Sequence, residues 1–313
     1  MNSKPYSCRL CPRNCGADRE ETVGYCGETH TIRVGRAALH MWEEPCISGK
    51  NGSGAVFFCG CSMRCIFCQN KKISREGVGK PITSERLSEI FFELEEKGAN
   101  NINLVTGDIY IPGIVRAIEL SKKQGLKLPF IFNTSSYVNV ESLKRLEGLI
   151  DIYLPDLKYI REQDAVRYSG APGYPDAAKA AIDEMVRQQP QCEIYSERTE
   201  GDPAEIEAGA GRSLLSKGVI VRHLLMPGML IQAKLIVRYL HDRYGDDIYI
   251  SLLGQYTPNG ELKDHPEIDR PVTEREYHSL VDFARYLGVE KAYVQTGEAV
   301  GESFIPEFDL KGV

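Results

Sequence analysis

From about residue 55 onward, short runs rich in β-branched and aromatic residues alternate with stretches of helical periodicity. The runs are AVFFCG (55–60), INLVT (102–106), FIFNT (130–134), IDIYLPDLK (150–158), VIVRHLLMP (219–227), DIYISLLGQY (247–256) and KAYVQT (291–296). They are apolar with little alternation, the pattern of strands buried on both faces of a parallel sheet. Between them, Leu87, Ile90, Phe91 and Leu94 fall at i, i+3, i+4 and i+7, with Gly98 as a stop. Ile114, Val115 and Ile118 mark a second helix ending near Gly125, and Ile182, Met185 and Val186 form a third helical face. Thr273 and Glu276 make a capping box ahead of Tyr277, Leu280 and Ala284. Strand–helix alternation with right-handed crossovers predicts a wound parallel α/β sheet, open or partly closed. Residues 188–212 break the rhythm. They are polar, acidic and rich in Gly and Pro near their end, and read as an insertion loop on the surface.

The cysteines are distributed unevenly. Of 10 in the 313 residues, nine lie in the first 68 and the tenth is Cys192. The opening MNSKPYSCRLCPRNCG lacks the charged-then-apolar pattern of a secretory signal, and no run approaches the roughly 18 apolar residues of a membrane span. These features predict a cytoplasmic protein with no membrane partner. In that reducing setting, tight cysteine groups read as metal ligands or redox groups rather than disulfides. Cys192 fits a buried small hydrophobe. A net charge of −6 with no dense basic stripe argues against a nucleic-acid partner. The chain divides into a Cys-rich segment, 1–50, and an α/β body, 51–313.

The strongest local signal is CGCSMRCIFCQN, residues 59–70, where Cys61, Cys65 and Cys68 are spaced C-x3-C-x2-C just after an apolar run. Three thiolates on one tight loop can hold three irons of a cubane cluster and leave the fourth without a protein ligand, unlike the four-Cys ligation of electron-transfer clusters. An open metal position is how a site activates a substrate. Phe67, just before the last Cys, can shield such a cluster and lie against a flat ligand.

A second group, Cys8, Cys11, Cys15 and Cys26, is spaced C-x2-C-x3-C-x10-C. Four thiolates within 19 residues suit a closed tetrahedral zinc site or a second iron–sulfur cluster, with Pro12, Gly16, Gly24 and Gly27 supplying turns. So short a segment has little core, and a metal would supply its stability. Cys46 and Cys59 read as packing residues. The MWEEPC stretch (41–46) holds the only tryptophan and carries no functional reading.

CSMRCIFC resembles the cluster motif of the radical S-adenosylmethionine (SAM) superfamily. NLVTGDIYIP, FNTSSYV, IDIYLPDLKYI, APGYPDAAKAAIDEM and VRHLLMPG follow in order, and together they resemble the pyruvate formate-lyase activating enzyme-like branch often called PflX-type. The resemblance covers most of residues 8–290. It implies a partial (β/α)6 barrel of TIM-like type, with a 4Fe–4S cluster on the loop after the first barrel strand. It also implies that SAM chelates the open iron, and that one-electron reduction yields a 5′-deoxyadenosyl radical that abstracts hydrogen.

The same resemblance assigns residues one at a time. Cys61, Cys65 and Cys68 match the cluster ligands, and Phe67 the aromatic that contacts adenine. Thr106, Gly107 and Asp108 align with the glycine-rich segment that meets the methionine amino group, although activating enzymes usually carry Gly-Gly-Glu there. Asn133 and Thr134 match an Asp-Thr pair, Asp156 and Lys158 an Asp-Leu-Lys, and Arg222 and His223 an Arg-aromatic pair. Polar residues at the C-terminal ends of barrel strands face the active side. Lys158 offers a cation for a carboxylate, and Asp156 an acceptor. Standing alone, that pair would read as a surface ion pair, and His223 equally as a core histidine.

The leading expectation is a radical SAM enzyme acting on a peptide or protein, with activation of a glycyl-radical enzyme as one form of it. Its electron donor would be of the flavodoxin or ferredoxin kind. The alternatives are a radical SAM enzyme modifying another substrate without a glycyl-radical partner, and a non-catalytic iron–sulfur or zinc protein. Ligand count separates them: an open three-Cys set favours catalysis, a complete four-Cys set electron transfer or structure.

Overall fold

The computed structural model describes residues 7–196, 213–259, 262–294 and 306–313. The chain opens with β1 (Ile32–His40), α1 (Pro45–Ser48), β2 (Ser53–Phe58), α2 (Lys71–Ser74), β3 (Lys80–Ile82) and α3 (Ser84–Glu96). There follow β4 (Ile102–Val105), α4 (Ile111–Lys123), β5 (Phe130–Thr134), α5 (Val140–Leu143) and β6 (Ile152–Pro155). Next come α6 (Glu162–Ser169), α7 (Tyr174–Gln188), β7 (Glu193–Ser196) and β8 (Ser213–Leu224). The last elements are α8 (Leu230–Tyr244), β9 (Tyr249–Leu253), α9 (Glu274–Leu287) and β10 (Ala292–Val294).

Among the described residues the strands run in the order β10-β9-β8-β6-β5-β4-β2-β1-β3, with β7 paired to β8 off this path. Every neighbour from β2 through β4, β5, β6, β8 and β9 to β10 is parallel. The fold is therefore the expected α/β architecture with a largely parallel sheet. Each of the seven apolar runs overlaps one of these parallel strands. β2, β4, β5 and β6 are buried along their whole length, which is why their sequences do not alternate.

Successive side chains on these strands nevertheless enter different clusters. Phe130, Phe132, Tyr153, Val219 and Val221 pack with the helices in the main core. Ile131, Ile152, Leu154 and Ile220 point the other way and meet Cys46 and Ile47 of α1. Residues 45–48 thus plug the concave face of the sheet, and Cys46 is a packing residue there, 4% exposed.

Three strands were not among the expected seven. β1 (IRVGRAALH) carries two arginines and a glycine, so its pattern is weak, yet it pairs antiparallel with β2 and β3. Residues 32–40 therefore belong to the sheet, and the Cys-rich segment and body do not part cleanly at residue 50. β7 lies in the first part of the 188–212 stretch read as a loop; its pairing with Ser213–Lys217 gives that polar run a strand partner. Residues 197–212 lie outside the described residues. Among the described residues, no helix is long and apolar enough to cross a membrane.

The expected capping box is formed. Glu276 N–H donates to Thr273 Oγ1 at 3.2 Å, and Thr273 N–H donates to the Glu276 carboxylate at 2.9 Å. Thr273→Ala is expected to lower unfolding stability by about 1 kcal/mol in urea titration. An unchanged midpoint would mean that Arg270, bonded to Glu276 at 2.9 Å, fixes that helix start by itself.

Candidate active site

Cys61, Cys65 and Cys68 sit on the loop that leaves β2, and all three line one cavity of ≈ 710 Å³. The loop is bound firmly. Arg64 N–H donates to Ser169 C=O at 3.0 Å, Ile66 N–H to Tyr168 C=O at 2.9 Å, and Asn259 to Ile66 C=O at 2.8 Å. Gly60 starts the turn at φ +76, where a Cβ would stand 2.4 Å from Glu28 Cγ, so only glycine lets the loop approach the N-terminal segment this closely.

Each thiol has a donor or hydroxyl beside it. Met63 N–H donates to Cys61 Sγ at 3.4 Å and the Ser169 hydroxyl to Cys65 Sγ at 3.0 Å, while Cys68 Sγ lies 3.4 Å from Ser74 Oγ. Burial pushes the Cys61 and Cys65 thiols up, and each feels the negative charge of its cysteine neighbours. Lys158 opposes this at Cys65. Three half-buried thiols thus share one cavity, and the raised Cys61 and Cys65 call for a positive centre to become thiolates, which a metal cluster supplies. The donor set fits such a group.

The opposite wall comes from the C-terminal ends of the parallel strands. Thr106, Asn133, Thr134, Asp156, Lys158 and Arg222 all line the cavity, and so does Phe67, whose ring lies 5.8 Å from that of Tyr256. Asp156 is the hub. Lys158 Nζ donates to its Oδ2 at 2.6 Å and Arg222 Nε to its Oδ1 at 3.1 Å. Arg222 also donates to Asn133 and, at 3.1 Å, to Glu43. Burial alone would raise the Asp156 carboxyl, but Lys158 and Arg222 hold it below the usual carboxylate range. This is a buried network of charges, not a surface ion pair.

Three of the expected residues stand behind this wall. Gly107 packs under Ile114, where a Cβ would meet Ile114 Cδ1 at 2.6 Å. His223 is 2% exposed, with Nδ1 2.8 Å from Leu157 C=O, and burial lowers its pKa to about 4, so it is a neutral core histidine. Asp108 accepts from the Thr134 hydroxyl and thereby holds a cavity residue in place. Thr106 adopts φ +60, a conformation a β-branched residue rarely takes. The main chain thus keeps a glycine-like shape at the segment where a Gly-Gly-Glu pattern was absent.

Burial pushes the Asp108 carboxyl up to about 6 against the pull of Thr134. A carboxyl raised above its unfolded value stabilises the fold while protonated, and that contribution is lost as pH rises through the folded pKa. Relative to Asp108→Asn, the wild type is expected to lose on the order of 3 kcal/mol between about pH 4 and pH 6 and then level off. Urea unfolding of both proteins across that range checks this, and a flat difference would contradict it.

The N-terminal segment packs on the cluster loop. Arg13 Nε donates to Ser62 C=O at 2.9 Å, Arg64 to Tyr25 C=O at 3.1 Å, and Cys61 N–H to Cys26 C=O at 3.4 Å. Cys8 and Cys11 are buried, Cys26 half-buried and Cys15 exposed. The thiols of Cys8, Cys11, Cys15 and Cys26 influence one another electrostatically. Among the described residues, however, no three His, Cys, Asp or Glu side chains close around a single ion. The zinc-like closed site expected at these four thiols is not formed as placed. Three thiols that each meet a different iron of a cluster need no such closure.

Residues 55–192 match the family model of the radical SAM superfamily. Among curated proteins the chain is similar to the uncharacterized protein MJ0674 of Methanocaldococcus jannaschii, 25% identical over 296 residues, covering 92% of this chain and 77% of that protein. Among solved structures it is similar to a domain of pyruvate-formate lyase-activating enzyme from Bacteroides vulgatus, with 13% identity, a TM-score of 0.42 and 63% and 99% of the two chains covered. It is also similar to the FeFe-hydrogenase maturase HydG from Carboxydothermus hydrogenoformans, with 12% identity, a TM-score of 0.49 and 75% and 50% coverage. The chain of Streptococcus suis SuiB bound to S-adenosylmethionine gives 9% identity, a TM-score of 0.46 and 76% and 48% coverage. This chain spans about half the length of the HydG and SuiB chains.

The cavity also contains residues that sequence reasoning passed over. Met41, Trp42, Glu43 and Glu44 line it from the end of β1, and Gln255 and Tyr256 from beyond β9. Two adjacent carboxylates beside a proline were the available signal, but nothing in their spacing links them to strand ends 60 to 180 residues away.

Proposed function

We propose that this protein is a radical SAM enzyme that reductively cleaves SAM and abstracts hydrogen from a peptide or protein substrate. One observation carries the reading: three thiols on the β2 loop share a cavity with the charged strand ends of the same parallel sheet. When bound at Cys61, Cys65 and Cys68, a 4Fe–4S cluster supplies the electron that cleaves SAM to methionine and a 5′-deoxyadenosyl radical. The chain's own residues do the rest. Lys158, half-buried and close enough to Cys65 to feel its charge, offers its ammonium to the methionine carboxylate. Asp156 fixes Lys158 and Arg222 in place and presents an acceptor to the ribose hydroxyls or the amine. Phe67 covers the thiols with an apolar face suited to adenine, and main-chain groups at Thr106 meet the amino group. Buried walls on both sides exclude water from the radical.

The finer reading is a PflX-type, activating-enzyme-like oxidoreductase, with glycyl-radical activation as one form and a flavodoxin or ferredoxin as donor. The ordered motifs from NLVTGDIYIP to VRHLLMPG support it. The four N-terminal cysteines are assigned to a second metal, zinc or an auxiliary cluster, on their spacing within 19 residues and their electrostatic influence on one another. Anaerobic reconstitution with iron and sulfide, followed by SAM and dithionite, should yield 5′-deoxyadenosine by chromatography. None formed by a protein whose cluster is intact and reduced would end this reading. Metal analysis of anaerobically purified protein separates zinc from a second cluster.

A further inference from the structure

After β1 the chain crosses the concave face of the sheet ahead of α1, and there Glu43 and Glu44 line the cavity. Glu43 is fully used. Its Oε2 accepts from Arg222 at 3.1 Å and its Oε1 from Asn103 Nδ2 at 2.9 Å. Glu44 differs. It is 7% exposed, the Ser251 hydroxyl and its own N–H bond to the carboxyl group, and yet among the described residues Oε2 has no hydrogen-bond partner. Arg222 attracts Glu44 electrostatically but makes no hydrogen bond to it, its guanidinium being divided among Glu43, Asp156 and Asn133. Lys158 is held on Asp156 at 2.6 Å. Burial, Arg36 and Arg222 lower the His40 pKa, while Tyr293 and Cys46, which also feel the Glu44 charge, have theirs raised by burial and supply no cation.

The charges therefore do not balance. With all three ionised, the carboxylates of Glu43, Glu44 and Asp156 face two cations, Arg222 and Lys158, and burial pushes the Glu43 and Glu44 carboxyls up against the pull of Arg222. An acceptor buried without a donor is costly, more so when it belongs to an ionised carboxylate. A ligand with N–H groups and a positive charge removes both penalties at once.

We propose that Glu44 is a recognition residue for an organic cation, so that the substrate held in this cavity presents an ammonium or guanidinium group to Oε2. This rests on reading the cavity as the substrate site of the radical reaction. The cation's source is a free amine or a Lys or Arg side chain of a peptide; the recognising chemistry is the same.

The test is calorimetric titration of the cluster-loaded protein, with SAM present, using agmatine, the blocked tripeptide acetyl-Gly-Lys-Gly-amide and uncharged hexanol. Wild type should bind at least one of the two cations saturably and hexanol not at all. Agmatine alone would mark a free amine as the source, and the tripeptide alone a side chain. Emission from Trp42, the sole tryptophan and a cavity residue, should change over the same titration. Glu44→Gln keeps the shape but removes the charge, and should weaken the cation by about tenfold or more. Glu44→Asp should retain part of that affinity. SAM affinity should match wild type in both variants.

No saturable cation binding by wild type, equal binding by Glu44→Gln, or weakened SAM binding in that variant would each overturn the assignment. Cation binding that persists in a protein unable to cleave SAM would fault the proposed reaction and leave the role of Glu44 standing. Cleavage without cation binding would fault Glu44 alone.

Discussion

Cys61→Ala should reduce 5′-deoxyadenosine formation by at least about 1000-fold, because a three-thiolate site has no spare protein ligand to substitute. The same holds for Cys65→Ala and Cys68→Ala. Neighbouring cysteines supply the control. Cys59 lies two residues earlier, 0% exposed, with Sγ 3.3 Å from Val78 C=O and packed against Phe57 and Ile73. Cys59→Ala should keep cleavage within about fivefold of wild type and cost about 1–2 kcal/mol of stability. Cys8→Ala should lower stability or metal content while part of the cleavage persists. Equal cleavage by wild type and Cys61→Ala would show that the cluster is held elsewhere, and the four N-terminal cysteines would then be the first place to look.

Asp156→Asn is expected to destabilise the fold by about 3 kcal/mol, since it strips the shared carboxylate from two buried cations. Arg222 retains Glu43 at 3.1 Å, which keeps the loss from being larger, but Lys158 loses its 2.6 Å partner. The effect has a defined pH dependence. Lys158 and Arg222 hold the Asp156 carboxyl below its ordinary range despite burial, so its contribution is present above about pH 4 and is lost as pH falls. The gap between wild type and Asp156→Asn should therefore be full at pH 7 and narrow in acid. Urea unfolding at both ends of that range measures it. A gap that widened in acid would mean that the carboxyl is protonated in the folded protein, and that Arg222 is held by Glu43 alone.

The motif residues differ in how they are legible. Cys61, Cys65 and Cys68 can be read from spacing because all three sit on one loop, where sequence distance sets spatial distance. The parallel strands can be read because burial on both faces forces a continuous apolar run, as at FIFNT, where all five residues are buried. β1 could not be read in this way: its arginines reach outward to partners, Arg33 to Gly77 C=O at 2.6 Å and Arg36 to Asp309 at 2.7 Å, which only the assembled fold supplies. His223 shows the reverse error. A histidine beside Arg222 at a strand end looks functional, but strand alternation turns it into the core while Arg222 faces the cavity.

By itself, the sequence determined the parallel α/β body and the open three-cysteine loop, since each depends on periodicity or spacing within a short stretch, whereas Asn133, Asp156, Lys158 and Arg222 were singled out by the family resemblance. The tertiary structure alone decided that MWEEPC lines the cavity and packs on the sheet, that Glu43 completes the Arg222 network, and that among the described residues Glu44 is left with a buried oxygen lacking a hydrogen-bond partner. The physical reason is range: those contacts join segments far apart in the chain, and their charge balance exists only once the sheet has brought them together.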